Sequence, residues 1–146
     1  MSLMRAMRVV QTHLLFLMVF LSFATYAMGQ HMNAEDAPCH GPSSNAEETQ
    51  CFISASRNAD TEMNQTYDRV RKVLGADEQE QLQSVQRLWM RFRDANCAAE
   101  RDLYRGGTAA PMVYAACIEA DARQRSAELN TIYGWRLIKF GRGSDK

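Results

Sequence analysis

Four cysteines carry the most definite chemistry in this chain: Cys39, Cys51, Cys97 and Cys117. An even set of thiols can ligate zinc or pair as disulfides. Zinc sites are built on closely spaced Cys or His ligands. Here the cysteines are 12, 46 and 20 residues apart, and the only histidines beyond residue 29 are His31 and His40. No metal and no cofactor is expected, and two disulfides are, as suits a small chain in an oxidising compartment. Nucleophilic catalysis would need a Ser or Cys beside a base. Beyond residue 40 there is no histidine, the cysteines are expected to be oxidised, and Asp and Glu are scattered at ordinary helical surface spacing. An enzyme is not expected, and no catalytic residue is assigned.

Two groups of residues could bind rather than react. Arg105-Gly106-Gly107-Thr108 places a guanidinium at a glycine turn, where it could form a bidentate pair with a carboxylate. The same residues also suit a plain helix connection. Arg87, Arg91, Arg101 and Arg105, with Asp94 among them, fall within about 40° of one direction on a helix. That face could dock an anionic polymer or an acidic partner, or simply be solvated. Asn64-Gln65-Thr66 fits a glycan acceptor pattern, which carries little weight within a helix.

The elements that must position these residues follow from punctuation and periodicity. Ser44 to Glu47 matches a capping box, and no Gly or Pro interrupts Glu47 to Leu74. Phe52, Ala55, Ala59, Met63, Tyr67, Val70 and Leu74 form one helical face there. Gly75 ends it, and Asp77 can cap a second helix with Leu82, Val85, Trp89, Phe92, Ala99 and Leu103 on its apolar side. Beyond the Gly106-Gly107 break, Pro111 suits a first turn. Ala115, Ile118, Ala122, Leu129 and Ile132 then repeat the pattern to an end near Gly134. No segment alternates with period two. The expected fold is all-α, an antiparallel up-down-up three-helix bundle stapled by two disulfides.

Folding the chain about Gly107 brings Cys97 and Cys117, each ten residues away, to one level. Helices 8–10 Å apart then favour pairing Cys97 with Cys117 and Cys39 with Cys51. Cys51 also stands near that level, so a Cys51–Cys97 pair stays open. The same reflection predicts a ladder of Arg93 with Asp121, then Arg125 with Glu62 and Trp89. Arg125 falls within an apolar stripe, where a guanidinium needs a carboxylate or an aromatic face. The ladder is read as structural, an ion-pair and aromatic device for packing.

The first 29 residues differ from the rest. Arg5 and Arg8 precede an apolar run from Leu14 to Phe23, and Ala27-Met28-Gly29 fits a cleavage site. Export is expected, with a periplasmic or secreted product. The run is short for a membrane anchor. Removing this segment leaves 15 basic against 17 acidic side chains, which argues against nucleic-acid binding. The expected organisation is a signal segment at 1–29, a polar tail at 30–46, a helical domain at 47–140 and a C-terminal tail at 141–146.

These residues also carry a family resemblance. Glu62-Met63-Asn64 with Tyr67, Gln86-Arg87 with Trp89, and Arg93-Asp94-Ala95-Asn96-Cys97 resemble segments of the LprI-type lysozyme-inhibitor family. So do Gly106-Gly107-Thr108, Met112, Cys117, Arg125 and Glu128-Leu129, with Ala122 standing where a Thr is usual. The likeness spans roughly residues 51 to 130. It implies a secreted or periplasmic helical domain, with a lysozyme or another envelope protein as its partner.

Overall fold

A computed structural model describes residues 31–41 and 44–141. The expected export signal lies outside the described residues, as do 142–146 of the C-terminal tail. After a 3-10 turn at His31–Asn33 come three helices: α1 (Asn45–Lys72), α2 (Ala76–Asp102) and α3 (Ala110–Phe140). There is no strand among the described residues. Ser44 caps α1, its hydroxyl accepting from the Glu47 N–H at 3.3 Å. The second helix begins two residues earlier than its sequence suggests. Gly75 rather than Asp77 is the N-cap, and the Glu78 carboxylate folds back to accept from the Gly75 N–H at 3.0 Å. Asp77 lies instead in the first turn, where it favours the positive end of the helix dipole.

The third helix is longer than expected. It runs through Gly134 to Phe140, because Tyr133 and Leu137 still find apolar partners in Val70, Leu74 and Leu82. That packing outweighs the modest cost of one interior glycine. α3 is the central element: α1 packs closely along it, α2 more sparsely, and the α1 and α2 backbones hardly approach each other.

The α1–α3 seam is apolar in the ordinary way. Phe52 sits with Met112, Ala115 and Ala116, Met63 with Ala59 and Ala122, and Val70 with Leu129. Ala122 is fully buried, so the small residue there admits close approach of the two helices. Thr66 adds one polar contact, its hydroxyl 3.0 Å from that of Ser126.

The α2–α3 seam differs. Of the apolar face expected on α2, only Leu82 is buried and Trp89 partly so, while Val85, Phe92, Ala99 and Leu103 are exposed. The residues turned inward are Leu82, Gln86, Arg93 and Cys97. Cys97 fixes the rotation of the helix, since it must reach Cys117 on α3. On α3, Ile132 is likewise exposed.

Candidate functional site

Both disulfides form as the level of the hairpin suggests, Cys39–Cys51 and Cys97–Cys117, with Cα separations of 5.9 and 5.5 Å. The Cys51–Cys97 alternative is thereby excluded. The first bridge draws Ala37 and Cys39 down beside Phe52 and so fastens this part of the polar tail to α1. Two side-chain contacts hold it as well. His31 Nδ1 lies 2.8 Å from Glu100 Oε2, and Arg123 Nη1 donates to Asp36 Oδ2 at 2.6 Å. Hydrogen bonding from Arg123 holds the Asp36 carboxyl below its ordinary range.

One turn below the Cys97–Cys117 bridge the expected ladder is rearranged. Arg93 pairs with Asp60 of α1 at 2.6 Å and with its neighbour Asp94 at 3.0 Å, not with Asp121. A long guanidinium in the sparse α1–α2 gap reaches across to α1 more easily than back to α3. Asp121 stays beside the disulfide, its Oδ2 3.7 Å from Cys97 Sγ. Desolvation pushes its carboxyl above the ordinary range, against the pull of His31 and Arg93.

Arg125 is buried, as its place in the stripe requires, but its partners are Gln86 and Glu128 rather than Glu62. Its Nε donates to Gln86 Oε1 at 3.0 Å and its Nη1 to Glu128 Oε2 at 2.6 Å. Glu62 is exposed, because its neighbour Met63 takes the inward direction. Trp89 joins the two cations: the Arg93 and Arg125 guanidinium carbons lie 5.1 and 5.7 Å from its ring centroid. Gln86 closes the network by donating to Met63 Sδ at 3.0 Å. Gln86, Arg93 and Arg125 are thus all hydrogen-bonded within α1–α3.

At the other side of the bridge lies the α2–α3 turn. Gly106 has φ +83°, a left-handed conformation that glycine adopts without strain. Gly107 N–H donates to Tyr104 O at 2.9 Å, and Asn45 Nδ2, in the first turn of α1, donates to Thr108 Oγ1 at 2.9 Å. The Arg105 side chain is 79% exposed. Its guanidinium shares Asp102 with Arg101, each contact 2.8 Å long, and these bonds hold the Asp102 carboxyl below its ordinary range. Leu103 projects beside it, 76% exposed.

Two shallow grooves flank the turn. One, of about 490 Å³, is lined by Asn45, Thr49, Gln50 and Thr108. The other, of about 440 Å³, is mostly apolar and lies over Ile53, Pro111, Tyr114 and Ile118, where Arg101 stacks 5.7 Å from the Tyr114 centroid. On the arginine face of α2, Arg101 and Arg105 are thus already occupied by Asp102. Arg87 donates to Ser84 Oγ at 3.1 Å, and both it and Arg91 are exposed. Asn64 is exposed, but the Thr66 hydroxyl of the same tripeptide is buried against Ser126.

Comparison with known proteins adds a family. A family model described as "Lysozyme inhibitor LprI" matches residues 39–129. A protein of Rhizobium meliloti (strain 1021), itself described as uncharacterized, is 30% identical over 95 residues, spanning 56% of this chain and 68% of the relative. No solved structure matches.

Proposed function

Because the chain belongs to the LprI lysozyme-inhibitor family, we propose that it acts in the periplasm or outside the cell as a non-enzymatic inhibitor, entering a lysozyme cleft with the α2–α3 turn. The observation that carries this reading is Arg105, which stands largely in solvent on a turn tied to α1 by Asn45 and to the bundle by the Cys97–Cys117 bridge. Lysozyme clefts hold two catalytic carboxylates. Arg105 is already hydrogen-bonded to one exposed carboxylate, so binding would exchange Asp102 for a carboxylate of the enzyme at modest cost. A rigid turn loses little conformational entropy on docking, and Leu103 brings apolar area next to the charge.

The test is an inhibition assay of the oxidised protein against goose-, chicken- and invertebrate-type lysozymes. Inhibition of one type, weakened at least about tenfold by Arg105→Ala with the thermal transition unchanged, supports the proposal. Inhibition indifferent to Arg105, Gly107 and Thr108 substitutions would remove the turn from it. The second reading is an envelope module docking an anionic partner through the arginine face. It rests on Arg87 and Arg91, which lack a carboxylate partner among the described residues, and predicts salt-sensitive binding without inhibition.

A further inference from the structure

The last three turns of α3 lie beyond residue 129, where the family match stops. They carry four large apolar side chains in solvent: Ile132, Trp135, Ile138 and Phe140, each about half to two-thirds exposed. Trp135 and Phe140 touch edge to face, with centroids 6.3 Å apart. Cations lie over both rings, Arg136 5.1 Å from the Trp135 centroid and Lys139 5.1 Å from that of Phe140. Arg136 is neutralised by Glu78 at 2.7 Å, whereas Lys139 has no carboxylate partner among the described residues. In sequence there is no Asp or Glu from Leu129 to Ser144, and Arg142 adds another positive charge.

We propose that this end of α3 docks on the surface of an anionic phospholipid bilayer, with Trp135, Ile138 and Phe140 at headgroup depth and Lys139 among the phosphates. Aromatic and aliphatic side chains beside cations, on a helix that does not span, are the composition of an interfacial anchor. No described helix is long and apolar enough to cross a membrane. The rival occupant is a second copy of the chain. Four partly exposed side chains, the largest covering about 250 Å² when wholly buried, fall short of the roughly 800 Å² per partner of a stable dimer. Pairing two copies would also join two segments that each lack an acidic side chain from Leu129 to Ser144, with no opposite charge to offset Lys139.

The placement has a geometric consequence. Glu78 meets Arg136, so this patch stands at the α1–α2 end of the bundle, opposite the Gly106–Gly107 turn. With about 1.5 Å of rise per residue, a bilayer contact at Trp135 holds that turn roughly 40 Å away, free to meet a soluble target.

The experiment titrates the oxidised protein from Gln30 onward with vesicles of phosphatidylglycerol or of phosphatidylcholine and follows tryptophan emission, the W135F variant supplying the Trp89 background. The expected result is a blue shift of Trp135 emission on phosphatidylglycerol only, with affinity lowered about tenfold or more by K139E. Three results would overturn the proposal: no shift on phosphatidylglycerol, an equal shift on phosphatidylcholine, or affinity indifferent to K139E. A shift that grows with protein concentration in lipid-free buffer would also overturn it, assigning the patch to a second copy. Circular dichroism of both variants checks that α3 is intact.

Discussion

The two seams of α3 are built on different principles. Against α1 it buries Phe52, Met63, Val70 and Leu129, and shape complementarity of apolar side chains holds the pair. Its seam with α2 holds a disulfide, the α2 indole of Trp89 contacted by two guanidiniums, and the α2 glutamine Gln86 bonded to Arg125. A cross-link and a satisfied polar network need little apolar area. α2 can therefore turn Val85, Phe92 and Leu103 outward, where an ordinary bundle helix would bury them. The seam with the smaller core is the one that leaves a helix face, and the turn at its end, exposed.

Matched substitutions separate the two designs most strongly. Phe52→Ala should cost about 3–5 kcal/mol by opening a cavity at the α1–α3 seam, whereas Phe92→Ala should change stability by less than about 0.5 kcal/mol. Chemical denaturation of both variants measures the contrast, and equal costs would mean that α2 buries its apolar stripe in solution. Next in size is the bridge. Cys97→Ala with Cys117→Ala should cost about 3 kcal/mol, because the bridge closes a loop of 20 residues. Hydrogen exchange should then rise in α2 while α1 and α3 keep their protection; uniform loss would show that the seams are not separable.

The smallest effect concerns Asp121. Its folded carboxyl titrates above the ordinary range, so stability is lost as the pH rises from the ordinary carboxylate value through the raised one. Asp121→Asn should raise the melting temperature at neutral pH, and the gain should vanish once the pH falls below the ordinary carboxylate range. Asp36 and Asp102, held low by their arginines, act in the opposite direction, losing stabilisation as the pH falls. The wild-type minus variant difference isolates the Asp121 contribution. A gain that persists in acid would assign the effect to packing instead.

Helix number, the breaks at Gly75 and Gly106-Gly107, and both disulfides were legible in the sequence. Each rests on local punctuation or on counting residues from one turn. The rotation of α2 was not, because hydrophobicity there runs against burial: Gln86 and Arg93 point in and Phe92 points out. Taking Cys97 as the fixed inward residue would have corrected it, since Leu82, Gln86, Arg93 and Cys97 share one stripe with Trp89 beside it. Arg125 was recognisable as a buried cation from its place on α3. Its carboxylate, Glu128, sits one turn away on the same helix rather than across the bundle. The contacts of His31 and Asp36 had no periodic pattern to announce them.

The order of the bridges along the chain also bears on how readily they form. Cys39 meets Cys51 and Cys97 meets Cys117 over 12 and 20 residues, one loop finished before the next begins. Every rival scheme must join partners at least 46 residues apart, and loop closure grows entropically more costly with length. A reduced chain therefore meets its native partners more readily than any rival set, which biases oxidation toward the observed pairs.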